Sequence, residues 1–269
     1  MSGNATNIAS LPFGIADEFG CAEVIADKSE TPLLLVCDHA SNNIPSHFLD
    51  LGLPPHELAR HIAWDIGAAE VTREMSRLLN ATAVLGTVSR LLIDCNRDTD
   101  HPTSIPLVSD GTSIPGNQGI SPTQRQERAE HWLYPYHDEV ARQCRRLEEF
   151  GAVAALVAVH SFTPVMNGFV RPWQAGILWN RDPRIAVPLI QGLRQRDGLC
   201  VGDNEPYSGR DLGFTIDLHG ERHGRPHVSI EIRQDLIADS VGAKNWATLL
   251  ADVLRPILML PENHRRARF

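Results

Sequence analysis

Three apolar runs along the chain each stop in a titratable side chain. Leu33-Leu34-Leu35-Val36 leads into Cys37-Asp38-His39, Ala154-Ala155-Leu156-Val157-Ala158-Val159 into His160-Ser161, and His227-Val228-Ser229-Ile230 into Glu231. Continuous runs of this length predict strands buried on both faces, as in a parallel sheet covered by helices. Open α/β sheets place their ligands at the carboxyl ends of such strands. The pattern therefore gives His39, His160 and Glu231 a shared address before any chemistry is considered.

Other segments fill in an α/β chain. Ala81–Val88 predicts another strand, Leu91-Leu92-Ile93-Asp94-Cys95 a third or its bent continuation, Ala175–Trp179 a further one, and Phe19–Ile25 a short edge strand. Val71, Met75, Leu78 and Leu79 have helical spacing, which predicts a helix over 68–79 with Asp65 in competition for the role of N-cap. A helix opens near Pro54–His61, with proline in its first turn. Trp132, Leu133, Tyr136, Val140 and Leu147 predict a long amphipathic helix over 123–150, and shorter helices follow at 185–194 and 246–260. Residues 101–122, rich in Pro, Gly and Ser, form a candidate lid, and the polar turn at Asp203–Gly209 a second substrate loop. No repeat or linker divides the chain, so a single domain over 1–269 is expected, with its core at about 31–260. The basic end His264–Phe269 is expected to fray.

Composition narrows the classes of function. The 269 residues are 42% hydrophobic and 22% charged, as in ordinary globular proteins, with a formal net charge of −8. That charge argues against nonspecific binding to nucleic acid or anionic membrane, and an anionic substrate would have to be held by local arginines. Met1–Asn7 has no basic segment and apolar core of an export signal, and no apolar run approaches the ~20 residues of a spanning helix, so a soluble, cytoplasmic protein is expected. Five cysteines without a CxxC pair read as free thiols, and Cys37 and Cys95 beside apolar runs as small buried hydrophobes.

The rim residues match the needs of a hydrolytic metal centre: imidazole or carboxylate ligands, an open position for water, and a base that is not a ligand. His39 and His160 are the first two candidate ligands and Glu231 the candidate general base. No HExxH spacing fixes the third ligand. Asp65 offers an anionic oxygen, whereas Asn42 offers only a neutral amide oxygen, so Asp65 is preferred and Asn42 stays the alternative. Asp38, on the opposite strand face from His39, is expected to orient a neighbouring group. His219-Gly220-Glu221-Arg222-His223 with His227 reads as a histidine-rich turn rather than a second metal centre, with His219 still a candidate to hydrogen-bond substrate; Tyr207 is a candidate to close over it.

The segments Cys37–Pro45, Ala63–Ala68, Ser89–Arg97, His160–Pro164 and Ile230–Ile237, in order between about residues 31 and 255, resemble the N-formylglutamate amidohydrolase family. More remotely, the succession His39, Arg90, Asn96-Arg97, His160-Ser161 and Glu231 is similar to zinc carboxypeptidases, although Asn42 stands where that pattern has a glutamate. The resemblance implies a mixed, mostly parallel sheet of the eight-stranded type flanked by helices on both faces. With the residue reading, it implies metal-dependent hydrolysis of an N-acyl acidic amino acid such as N-formylglutamate, zinc being the expected divalent metal and a small anion the partner. Arginine pairs bidentately with carboxylate, so Arg90, Arg97 and Arg233 are candidate substrate clamps with Asn96 assisting; the competing role for each is an ion pair with Asp94, Asp98 or Asp235. A metallopeptidase or amidase acting on a peptide or cell-wall fragment, and a noncatalytic binding protein on the same fold, are the alternatives.

Overall fold

The computed structural model describes residues 20–269. Its apolar runs become the strands β1 (Ala22–Ile25), β2 (Leu33–Cys37), β3 (Thr82–Gly86), β4 (Ala155–Phe162), β5 (Ala175–Leu178), β6 (Val201–Asp203) and β7 (His227–Arg233). Among the described residues these form one seven-stranded sheet in the order β1-β3-β2-β4-β7-β5-β6. β3, β2, β4 and β7 run parallel, β1 and β5 are antiparallel to β3 and β7, and β6 is parallel to β5. The sheet is mixed and mostly parallel, as expected, with one strand fewer than the eight-stranded type.

Leu91–Cys95 is not a strand. Ser89 Oγ accepts from Leu91 N (3.1 Å) and donates to the Ala63 carbonyl (2.9 Å), while Leu92 N donates to the Ser89 carbonyl (2.9 Å). A turn has captured the backbone groups that a sheet ladder would have used. Leu91, Leu92 and Ile93 are still buried, and the turn carries Asp94 to the rim.

The helices are α1 (Ala68–Leu79), α2 (Tyr134–Glu148), α3 (Pro183–Arg194), α4 (Phe214–His219) and α5 (Ser240–Leu258), with a short turn of helix at Pro55–Leu58. The long helix expected over 123–150 is realised as Pro122–Arg128, a π-helical stretch Ala129–Leu133 and α2, joined end to end. A capping box between Ser121 and Gln124 starts it.

Strand alternation divides the core in two. Leu33, Leu35, Val157, Val159, Ile230 and Ile232 pack with Val71 and Met75 of α1, Leu189 of α3 and Leu250 of α5. Leu34, Val36, Leu156 and Ala158 pack with Tyr136, Val140 and Leu147 of α2. Each such aliphatic side chain withdrawn from water stabilises the fold by about 1.5–3 kcal/mol. The pairings Val36 to Ala158 and His160 to Glu231 then set Asp38, His160 and Glu231 on the α2 side of adjacent strands, near their carboxyl ends.

The C-terminal stretch expected to fray is tied down: Val153 N donates to the His264 carbonyl, Ala267 N to the Gly224 carbonyl, and Arg266 pairs with Glu148. No helix among the described residues is long and apolar enough to cross a membrane. The reading of Met1–Asn7, and Phe19 of the expected edge strand, lie outside the described residues.

Candidate active site

Past the end of β2, the His39 carbonyl accepts from Asp65 N (2.9 Å), which fastens the start of the α1 connection to the end of the strand. Asp65 is not the N-cap of α1. Gly67 holds that position with φ +80° and no side-chain cap, so the Asp65 carboxylate is left to face the rim. Only glycine suits Gly67, because a Cβ there would lie 2.1 Å from the Ile237 carbonyl oxygen.

Asp65 Oδ2 lies 2.8 Å from His160 Nδ1 and 3.3 Å from His39 Nδ1, while Arg90 Nη1 donates to Asp65 Oδ1 at 3.0 Å. The far nitrogen of each imidazole faces its own carboxylate: His39 Nε2 is 2.7 Å from Asp94 Oδ1 and His160 Nε2 is 3.2 Å from Asp38 Oδ2. Asp38 Oδ1 is itself held by the hydroxyls of Tyr136 and Thr215, both at 2.7 Å. The group next to Asp38, expected to orient a neighbour, is His160.

His39, Asp65 and His160 are the one group among the described residues whose ligand atoms converge as a metal site would require, all within 4.8 Å of one another. The donor chemistry fits a divalent cation. Both Nδ1 atoms point at one carboxylate oxygen, each Nε2 is backed by a carboxylate as metal-binding histidines commonly are, and two nitrogens with one oxygen suit zinc with a position left open.

The charges agree. Burial works against ionisation of Asp65, but His39, Arg90 and His160 outweigh it and hold the carboxyl well below its ordinary range. Burial likewise opposes charge on Asp38, and its contact with His160 brings it down to about 2. His160 goes the other way: burial disfavours its protonated form, and the Asp38 and Asp65 contacts raise it well above an ordinary histidine. Surroundings that favour a proton on this ring also favour a cation beside it.

Glu231 stands next to His160 in register, and its Oε2 is buried without a hydrogen-bond partner. Burial pushes it up to about 8; the positive charge of His160 opposes this and the negative charge of Asp65 adds to it. The group opens into a cleft of about 720 Å³ whose wall includes Arg90, Asn96, Arg97, Tyr207 and Glu231.

The expected substrate residues separate here. Arg90 is engaged with Asp65 and lies 3.6 Å from Asp94. Arg97 lines the cleft with no carboxylate partner among the described residues; Nη1 donates to the Asn96 carbonyl (3.0 Å) and the buried Nε has no partner. Asn96 Oδ1 accepts from Thr215 N (3.1 Å). Tyr207 is on the wall, its hydroxyl 3.1 Å from Arg171. Three candidates are not on the wall. Arg233 pairs with Asp235 (2.8 Å), His219 Nε2 lies 3.0 Å from His137 Nδ1, and Asn42 Nδ2 donates to the Leu58 carbonyl (2.9 Å).

Sequence reasoning left Asp94, His61 and Arg171 without a role in the site. Asp94 had a usable signal, since it too ends an apolar run. His61 had none: it lies 3.7 Å from Asp65 Oδ1, and burial lowers it to about 4. Cys37 and Cys95 are buried free thiols pushed well above the ordinary range by burial, as small hydrophobes would be.

A sequence model described as N-formylglutamate amidohydrolase matches residues 31–238, which span every residue of this centre. The chain belongs to the N-formylglutamate amidohydrolase family. Membership makes it a hydrolase by family. Among solved structures, an Agrobacterium tumefaciens gene product is similar at 35% identity over 89% of this chain and 95% of its own, with a TM-score of 0.86. An N-formylglutamate amidohydrolase from Ralstonia eutropha shares the fold, at 19% identity over 88% of this chain and 97% of its own, with a TM-score of 0.64. No curated protein matches the chain.

Proposed function

We propose that this amidohydrolase cleaves the amide of an N-formyl acidic amino acid, with N-formylglutamate the expected substrate, and that it is metal-dependent. The observation that carries the reading is the convergence of His39, Asp65 and His160 beside a buried glutamate that is not one of them. These three residues would hold the cation, zinc by its donor set. When bound it would polarise the amide carbonyl and acidify a water molecule.

The residues of the chain do the rest. Glu231 takes a proton from the water that attacks the formyl carbon and gives it to the departing amine as the carbon–nitrogen bond breaks, releasing formate and the free amino acid. A carboxyl that burial has raised towards neutrality is suited to both transfers. Arg90 balances Asp65 and Asp94, which would otherwise crowd negative charge around the centre. Arg97, facing the cleft with no carboxylate partner among the described residues, binds a carboxylate of the substrate through its planar fork.

The test is an assay of metal-loaded protein on a panel of N-formyl amino acids and short peptides, with chelated protein and Glu231→Gln alongside. N-formyl acidic amino acids are expected to be turned over best, and Glu231→Gln to lose about 10²–10⁴-fold in rate while still binding the metal. Full activity in Glu231→Gln, or after complete chelation, would overturn the mechanism. Turnover confined to peptides would overturn the substrate assignment.

A further inference from the structure

Arg171 is the anomaly next to the cleft. It follows the hairpin formed by Val165–Met166 and Phe169–Val170, and its side chain turns inward until the residue is only 4% exposed. The guanidinium meets neutral acceptors alone: the Thr163 carbonyl (3.1 Å) and hydroxyl (3.2 Å), the Tyr207 hydroxyl (3.1 Å) and the Met166 thioether (2.7 Å). It also lies over the rings of Phe162 and Tyr207, at 5.6 and 4.9 Å from their centroids. No carboxylate of the described residues is within ion-pair distance of it.

Other buried arginines are provided for. Arg184 has Asp182 at 2.6 Å and Arg225 has Glu148 at 2.7 Å. Arg128 lacks a carboxylate but donates to the oxygens of Leu92, Gly116 and the Asn117 side chain, all strong acceptors. Arg171 instead spends part of its fork on a thioether, which accepts weakly. A buried cation without a counter-charge is costly to keep, and here three of its contact residues, Thr163, Met166 and Tyr207, are themselves part of the cleft wall. The charge sits one side chain behind the surface that substrate meets, next to Tyr207 of the cleft wall.

Building on the substrate reading above, we infer that Arg171 is a second anion subsite. It binds the side-chain carboxylate of a dicarboxylic substrate while Arg97, on the separate turn that follows Asp94, binds the α-carboxylate. Met166 is a flexible side chain in a part-exposed hairpin, and a carboxylate would replace its sulfur on Nη2 with a charge-assisted bond, the Tyr207 hydroxyl remaining in place to share the anion. The pair of cations selects for acidic over neutral N-acyl amino acids.

The experiment compares N-formylglutamate with N-formylglutamine on the wild type, Arg171→Met and Arg171→Lys, with folding followed by circular dichroism. Arg171→Met is expected to lose about ten- to hundredfold in kcat/KM on N-formylglutamate, chiefly through KM, with N-formylglutamine unchanged and Arg171→Lys in between. An equal loss on both substrates, or an undiminished preference for the acidic one, would overturn the inference. A second measurement needs neither turnover nor a folded variant: calorimetric binding of glutarate and of its monoamide to the wild type. Tighter binding of the dianion is expected, and equal binding of the two overturns the subsite. Preference for the dianion by a protein that hydrolyses no N-formyl amino acid would support the subsite and reject the catalytic reading.

Discussion

Asp94 Oδ1 lies 2.7 Å from His39 Nε2, so a proton on Nε2 would be held by Asp94 while Nδ1 faces Asp65. Burial resists charge on Asp94, yet His39 and Arg90 hold its carboxyl far below the usual range, so it remains a full anion behind the imidazole. Replacing Asp94 with asparagine keeps the shape and removes the charge. Zinc affinity should fall about 10–100-fold in Asp94→Asn, measured by competition with a chromophoric chelator; an unchanged affinity would deny Asp94 this role. At this scale the sequence was informative about His39, His160 and Glu231, because each stops an apolar run. It said little about Arg90, Arg97 and Arg233 as a set, since each has aspartates within a few residues and only the folded backbone decides which side chains meet. Among the described residues Arg97 has no ion-pair partner, and the other two are engaged.

At the level of elements, the link between β2 and α1 is what brings Asp65 to the histidines. Gly67 lets that link turn with positive φ and lie against the Ile237 carbonyl oxygen, where no side chain fits. Gly67→Ala is expected to destabilise the protein by about 1–3 kcal/mol through overpacking, before the strain of the positive φ is added. Asp65 should shift with it, so urea unfolding and zinc binding should both weaken. An unchanged urea midpoint would show that the segment adjusts freely. Most elements were legible because strands buried on both faces and helices with one apolar stripe have distinct periods. Leu91–Cys95 was misread for a physical reason: its apolar residues are buried as a strand's would be, but the Ser89 hydroxyl bends the backbone out of the sheet.

Across the whole molecule, stability and function meet in a buried polar layer under the cleft, where the rings of His137 and His219 stack 5.2 Å apart and share a 3.0 Å contact. Burial lowers both, and the neighbouring His137 helps to bring His219 down to about 3. A histidine depressed in this way binds more protons unfolded than folded, so its contribution is present above about pH 6.5 and is lost as the pH falls towards 3. From pH 7 to 5 His219 should cost about 2 kcal/mol of stability. His219→Gln should flatten the fall in melting temperature over that range, and a slope equal to the wild type's would contradict it. By itself the sequence determined that the chain is α/β, that its parallel strands carry His39, His160 and Glu231 to one rim, and which family it belongs to. Those properties follow from local periodicity and from short contiguous motifs. Only the tertiary structure decided that Asp38 and Asp94 back the two imidazoles, that Arg90 is neutralised, and that Arg171 lies buried without a counter-charge among the described residues. Each of these depends on side chains meeting in a desolvated space, where charge balance is set by a three-dimensional neighbourhood that no linear pattern records.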